Sequence, residues 1–318
     1  MRDWLAAIAA VVVALALVAT AGALFGHSAS DLLSILLGGS LDETILKAVP
    51  LLLTGLTIAV AFRAGVWNIG GEGQFIAGAL TAFVAARFGL VAALLASVLA
   101  GAAWASIASL LRWWRNAPEV LTTILLNFVA INLLGWCVNG PLQEARARYP
   151  QSDAVSVALP TLGEVHAGVV IAVAVCVAIW WMLYHTAEGL RLRATGFNPH
   201  AARFAGINVD GQIFRAMAIS GGCAGLAGGI ELLGVTHRLF ERFASGYGYS
   251  GIAVALLAQL HPLATLVSAF FFGALATGAG ELQRSANISV TVATLIQAVV
   301  ILTLILFGSS RLRGGGRA

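Results

Sequence analysis

Residues 90–111 read LVAALLASVLAGAAWASIASLL, a run with no charged side chain. A hydrocarbon core about 30 Å thick is crossed by about 20 apolar residues of helix, so this run predicts a transmembrane span. Arg112-Trp113-Trp114-Arg115 follows at once, placing guanidiniums and indoles where the headgroup boundary favours them. The same reading repeats outward in both directions. Candidate spans fall at 4–26, 45–62, 71–87, 90–111, 119–138, 166–186, 212–235, 250–260, 263–280 and 288–307. The expectation is an all-α, polytopic integral membrane protein of about ten transmembrane helices. Composition agrees: 59% of the 318 residues are hydrophobic, 10% are charged and mean hydropathy is +0.92. An ordinary soluble domain carries roughly 25% charge. The same figures exclude a disordered chain, a coiled coil and a disulfide scaffold.

Two places break the regularity, near 65–75 and 250–265. The segment 250–260 is short for a crossing, and His261-Pro262 ends it, since proline disfavours helix in the residue before it. It is a half-helix, one arm of a re-entrant pair with 263–280, or a short span. The first segment reads as a retained anchor or as a secretory signal, its apolar run exceeding the roughly 7–15 residues of a signal core. The longest loops, 139–165 and 187–211, are too short to fold a catalytic domain alone. Residues 1–318 are therefore expected to form a single transmembrane domain.

Seventeen of the 18 basic residues are arginine, and Lys47 is the only lysine. With ten alternating spans and a cytoplasmic N-terminus, eleven basic residues fall inside and seven outside. That bias, with Arg311-Leu312-Arg313 after the last span, predicts both termini in the cytoplasm. Charge spread in this way is no nucleic-acid footprint. A phosphate-binding loop needs a lysine after glycine, and Lys47 sits in Glu43-Thr44-Ile45-Leu46-Lys47. ATP hydrolysis thus has no site here. Metal and catalytic sites have no constellation either, and Cys137, Cys176 and Cys223 are expected to be small buried hydrophobes.

Four stretches carry the remaining information. In the inner loop 187–211, Asn198 precedes Pro199, an N-cap with proline at the first helical position, and Gly206 is a stop two turns later. A helix so short is marginal alone and needs a surface to dock on. His200, Ala201, Arg203 and Phe204 would present that contact. It is a lever receiving force from a soluble partner or a helix lying on the bilayer. The second stretch, Asn68-Ile69-Gly70-Gly71-Glu72-Gly73-Gln74, is irregular backbone, tolerated at membrane depth only inside protein or beside a cavity. Asn68 and Glu72 cap the following helix, or Asn68, Glu72 and Gln74 border a transport pathway or hinge. In the third, Gly221, Gly225 and Gly229 share one helix face, a small-xxx-small pattern for close helix packing. Glu231 lies just beyond; it lines a pathway, snorkels to the outer interface, or pairs with Arg238 or His237. The fourth, 243–255, is a glycine- and tyrosine-rich turn leading into the short helix. Asn127 and Asn132, five residues apart, bind a polar solute or glue helices together.

These stretches, taken in chain order and spanning about Pro50 to Leu306, resemble the permease subunits of bacterial ABC importers for nucleosides and simple sugars. Those belong to the superfamily that also serves ribose and branched-chain amino acids. The resemblance implies that the chain is the translocation subunit of an ATP-driven importer working by alternating access in the bacterial inner membrane. It implies that the helix over Asn198–Gly206 couples to a cytoplasmic ATPase subunit, which holds ATP and Mg, so that this chain binds no cofactor itself. A second, non-identical permease subunit and an extracytoplasmic solute-binding protein complete the expected partners. Within the group, Asn68–Gln74 looks more like nucleoside-type than ribose-type members, and purine nucleosides rank first as solute. The alternative is an ion-coupled secondary transporter with Glu72 or Glu231 as proton site.

Overall fold

A computed structural model describes residues 39–145, 149–285 and 298. The chain is mostly helical and a multi-pass membrane protein. Ten α-helices are described: α1 Leu41–Arg63, α2 Gly71–Ala85, α3 Leu90–Arg115, α4 Glu119–Val138, α5 Gly168–His185, α6 Ala187–Phe197, α7 Pro199–Phe204, α8 Val209–Glu231, α9 Tyr247–Leu257 and α10 Pro262–Ser285. A π-type turn extends α8 through Thr236, and β1 Thr161–Leu162 pairs antiparallel with β2 Val165–His166 in the long loop.

Among the described residues, six helices are long and apolar enough to cross a membrane: α1, α3, α4, α5, α8 with its extension, and α10. The expected span at 71–87 is instead the 15-residue α2, and at 250–260, where a half-helix is among the expectations, stands the 11-residue α9. At 1.5 Å per residue these reach about 22 and 16 Å, short of a full crossing. The candidate spans 4–26 and 288–307 lie outside the described residues.

Two compact units divide the chain. In the first, made of the segments before Val49 and after Ala269, Arg284 pairs with Glu43 at 3.1 Å and with Glu281 at 2.8 Å. Lys47 donates to the Ala276 carbonyl at 3.3 Å.

The second unit, Val49–Ala269, holds the core. Its centre is α8, buried along nearly its whole length between α2 and α3. Lipid tails are as apolar as leucine, so packing at close range, rather than escape from water, holds such helices together. The sequence supplies small residues for it. The buried face of α3 is Ala93, Ser97, Gly101, Ala105 and Ala108, one residue per turn, while Leu95 and Leu99 are 58% and 69% exposed on the opposite face. Small residues thus face protein and large ones face outward, the reverse of a soluble helix. A Cβ added at Gly101 would lie 2.7 Å from the Gly225 Cα, and one at Gly229 would lie 2.6 Å from the Ser97 hydroxyl. Gly221, Gly225 and Gly229 therefore sit where α3 and α8 touch backbone to backbone.

Gly222 points elsewhere, its added Cβ finding nothing nearer than the Val98 Cγ1 at 3.3 Å. Gly225→Ala should lower stability by about 1–3 kcal/mol or more through overpacking, whereas Gly222→Ala should be near neutral. Thermal unfolding of the two purified variants in one detergent checks the contrast.

Candidate functional site

The chain between α1 and α2 is where the sequence stops being helical and where polar side chains gather. Arg63 ends α1, and Gly65 turns the chain at φ +75°, a left-handed conformation that favours glycine. Residues 66–70 then run without regular secondary structure to the start of α2 at Gly71. A segment of this kind leaves N–H and C=O groups without helical partners, and each must find one inside protein.

Asn68 is fully buried and uses both ends of its amide. Its Nδ2 donates to the Ser220 hydroxyl at 2.7 Å and to Gln74 Oε1 at 3.0 Å, while its Oδ1 accepts from the Gly70 N–H at 2.9 Å and Gln74 Nε2 at 2.9 Å. Ser220, on α8, donates its hydroxyl hydrogen bond to the Thr57 carbonyl of α1 at 2.8 Å. Asn127, reaching across from α4, accepts from the Gly73 N–H at 2.8 Å and donates to the Ile69 carbonyl at 2.9 Å and the Tyr249 hydroxyl at 3.2 Å. Thr123, one turn away on α4, accepts from the Ile69 N–H at 3.3 Å. Glycine at 70 leaves room for these amides, since an added Cβ would stand 2.8 Å from Gln74 Nε2 and 3.0 Å from Asn68 Oδ1.

Glu72, in the first turn of α2, is buried and aimed at a second helix start. Its two carboxylate oxygens accept from the Gly246 N–H at 2.9 Å and the Gly248 N–H at 2.8 Å. These N–H groups belong to the N-cap and first turn of α9, where the helix dipole favours an anion. An added Cβ on Gly71 would come 3.3 Å from the Gly248 Cα, so the starts of α2 and α9 meet head to head with one carboxylate between them. Beside this junction lies a cleft of about 220 Å³, bordered by Glu72, Ile76, Ile131, Arg242, Ser245 and Gly246. Of Asn68, Glu72, Gln74 and Asn127, only Glu72 borders it.

The other named residues lie apart from this junction. Asn132 is exposed and bonds its own helix, donating to the Phe128 carbonyl at 2.7 Å. Glu231 is buried at the end of α8, and its carboxylate makes no hydrogen bond among the described residues. Arg238, a partner the sequence offered for it, donates instead to Glu144 and the Ser152 carbonyl, at 3.3 and 3.2 Å. Thr57 and Thr123 show in the sequence only as hydroxyls within otherwise apolar runs, and Ser220 and Tyr249 only as polar neighbours of glycine.

On the side of α6, Thr186 caps that helix by accepting from the Gly189 N–H at 3.1 Å. Glu188 receives Gln212 Nε2 at 2.9 Å and ion-pairs with Arg215 and Arg191. The Gln212 hydrogen bond, then the two guanidiniums, hold its carboxyl below the usual carboxylate range, so this tie between α6 and α8 persists above that range and is lost as pH falls through the lowered value. The six-residue α7 follows. Asn198 Oδ1 accepts from the Ala201 N–H at 3.0 Å, Pro199 is at its start, and Gly206 ends the turn at φ +79°. Ala202 is buried, His200 and Ala201 are exposed, and Arg203 pairs with Asp210 at 3.7 Å. Phe197 and Phe204, flanking the capped turn, are 95% and 94% exposed.

This combination of membrane spans, an interior broken by a polar junction, and a capped helix outside the spans has a counterpart in known sequences. Residues 40–307 match the model of the branched-chain amino acid transport system / permease component family. The chain belongs to that family. A glucose ABC transporter permease protein of Haloferax volcanii is 34% identical over 83% of this chain and 76% of its own length. A guanosine ABC transporter permease protein of Bacillus subtilis is 32% identical over 82% and 79%. A riboflavin import permease protein of Treponema pallidum, named as probable, is 27% identical over 78% and 70%. Among the described residues no group of three or more His, Cys, Asp or Glu could hold a metal.

Removing Asn127 would leave the Gly73 N–H and Ile69 carbonyl unpaired, so Asn127→Ala should destabilise by about 1–3 kcal/mol. Asn132→Ala, losing only a bond within its own helix on an exposed face, should stay within about 0.5 kcal/mol. Equal losses in thermal unfolding of the two variants would contradict this account of the junction.

Proposed function

We propose that this permease component is the membrane subunit of an ATP-driven ABC importer carrying a nucleoside, purine nucleosides first, or a simple sugar. ATP and Mg are held by a separate cytoplasmic ATPase subunit. A second, non-identical permease subunit and an extracytoplasmic binding protein complete the assembly in the bacterial inner membrane, with both termini of this chain in the cytoplasm. The reading draws on the relatives named for glucose and guanosine and on one observation in this chain, the helix α7.

Six residues make a helix too short to persist on propensity alone. This one is held by Asn198, Pro199 and Gly206, and on either side of it an aromatic ring stands in the open. Buried aromatic and arginine anchors dominate protein interfaces, so Phe197, Phe204 and Arg203 supply what a docking surface needs. In the proposed cycle, ATP binding closes the ATPase pair and α7 moves with it. The spans joined to α7 then shift the balance between outward- and inward-open states. The permease makes no bonds; it holds two packings of similar energy that its partners bias. The polar junction serves as a hinge, and the cleft beside Glu72 is the place where a hydroxyl-rich solute would meet a carboxylate and Arg242.

The test is the purified complex with its ATPase in proteoliposomes. Replacing Arg203 and Phe204 together by alanine should lower stimulated ATP hydrolysis and uptake about tenfold or more, the size expected of interface anchors. Unchanged coupling with normal assembly would defeat the assignment of α7. Uptake by the permease without an ATPase, abolished by a proton uncoupler, would instead favour ion coupling, with the unpartnered Glu231 as its site.

A further inference from the structure

The short helix α9 is held at both ends by residues that flank one break. At its start, the Glu72 carboxylate accepts the Gly246 and Gly248 N–H groups at 2.9 and 2.8 Å. Past its end, Gln259 and Leu260 turn at φ +52° and +58°, and Arg63 donates to both of their carbonyls, at 3.1 Å from Nη2 and 3.2 Å from Nε. The anion thus lies at the positive end of the α9 dipole and the cation beside its negative end, each in its favourable place. Arg63 is the last residue of α1 and Glu72 the second of α2. An 11-residue helix is about 16 Å long. The nine steps from 63 to 72 span up to about 30 Å when extended, enough to reach both ends.

Between the clamps, α9 packs directly on α1. A Cβ added at Gly251 would lie 2.7 Å from the Thr54 hydroxyl oxygen, and one at Gly55 would lie 2.9 Å from Val254 Cγ1. No slack separates the two helices there.

The same break touches the cytoplasmic helices. An added Cβ on Gly65 would lie 3.0 Å from the Gly196 Cα, and one on Gly196 would lie 2.8 Å from the Ala64 carbonyl carbon and the Gly65 nitrogen. Gly196 is two residues before Asn198, the cap of α7. Tyr184 closes the group: the guanidiniums of Arg193 and Arg63 lie 4.9 and 6.0 Å from its ring, and His261 stacks on it at 5.1 Å. A displacement of α7 that carries the end of α6 with it therefore meets the 63–65 turn through the Gly196 backbone contact, with no flexible side chain there to absorb it.

We propose that Arg63 and Glu72 are positioning residues that fasten α9 to the α1–α2 break, and that the Gly65–Gly196 contact makes α9 the interior helix moved from α7. The proposal rests on the reading of α7 as the ATPase contact. In its cycle α9 travels with the 63–72 segment as one body, carrying the Glu72 cleft with it.

The test uses the complete transporter in proteoliposomes, with two measurements. First, spin labels at exposed Leu256 on α9 and Leu125 on α4 report their separation by pulsed electron resonance. ATP should change it by about 2 Å or more, the scale of helix shifts in coupled transitions. Second, uptake per ATP hydrolysed is compared between variants. Arg63→Gln should keep ATPase stimulation within about twofold yet lower uptake per ATP about tenfold, as loss of charged hydrogen bonds implies, and should abolish the ATP-linked change at α9. Arg63→Lys, which keeps the charge, should restore most of both. Phe204→Ala distinguishes the two readings, because it removes ATPase stimulation itself if α7 is the contact. Native transporter in which ATP leaves the Leu256–Leu125 distance unchanged overturns the proposal, whatever the variants do. Arg63→Gln with native uptake per ATP overturns it as well.

Discussion

Peptide N–H and C=O groups that leave a helix at membrane depth must be met by protein, because lipid offers them nothing. In the non-helical segment 64–70 the same need arises where protein encloses the chain, around the buried Asn68 and Gly70, and the architecture there follows from it. Asn68, Thr123 and Asn127 supply side-chain donors and acceptors to Ile69, Gly70 and Gly73, while Glu72 spends its carboxylate on the α9 start. Together with the Asn68–Ser220 and Ser220–Thr57 bonds, they bring five helices, α1, α2, α4, α8 and α9, to this junction. An apolar residue at any of the three polar positions would strand backbone groups rather than simply empty a pocket.

The helices can converge so closely because their facing sides are nearly bare. The run Ser97, Gly101, Ala105 on α3 meets Gly221, Gly225, Gly229 on α8, and Gly71 meets Gly248. Close backbone approach gives dispersion contact at short range, which in lipid takes the part that exclusion from water plays in a soluble core. It also leaves little freedom for sliding within α2, α3 and α8. Motion is therefore easier to place at the breaks, where the chain turns at Gly65 and again at Gln259–Leu260.

Much of the fold was legible from one chain. Long uncharged runs of residues announce spans whatever they pack against, since length and polarity alone decide the fit to a bilayer. The caps of α7 were equally readable, because Asn198, Pro199 and Gly206 act on their immediate neighbours. The glycine spacing on α8 pointed to a contact face before its partner on α3 was known. Less legible was the reach of 71–85 and 247–257: hydropathy marked both as apolar, but a helix buried inside protein and one crossing lipid share that composition. Glu72 is the clearest case of an ambiguity left by sequence. A carboxylate set among three glycines, two before it and one after, suited a cap for its own helix or a pathway, and it serves instead as the anion at a helix start 174 positions away in the chain.

By itself, then, the amino-acid order determined that the chain lives in a membrane as helices, where those helices break, and which short segment outside the spans is capped. These are local matters of polarity, length and backbone preference, complete within a few turns. Only the tertiary structure decided that Asn68, Ser220 and Thr57 form one chain of hydrogen bonds, that Asn132 looks away while Asn127 looks in, and that Arg63 and Glu72 hold opposite ends of one helix. Hydrogen bonds and dipole contacts act over a few ångströms in space, and their partners here lie between 50 and 200 residues apart along the chain, a separation on which sequence spacing is silent.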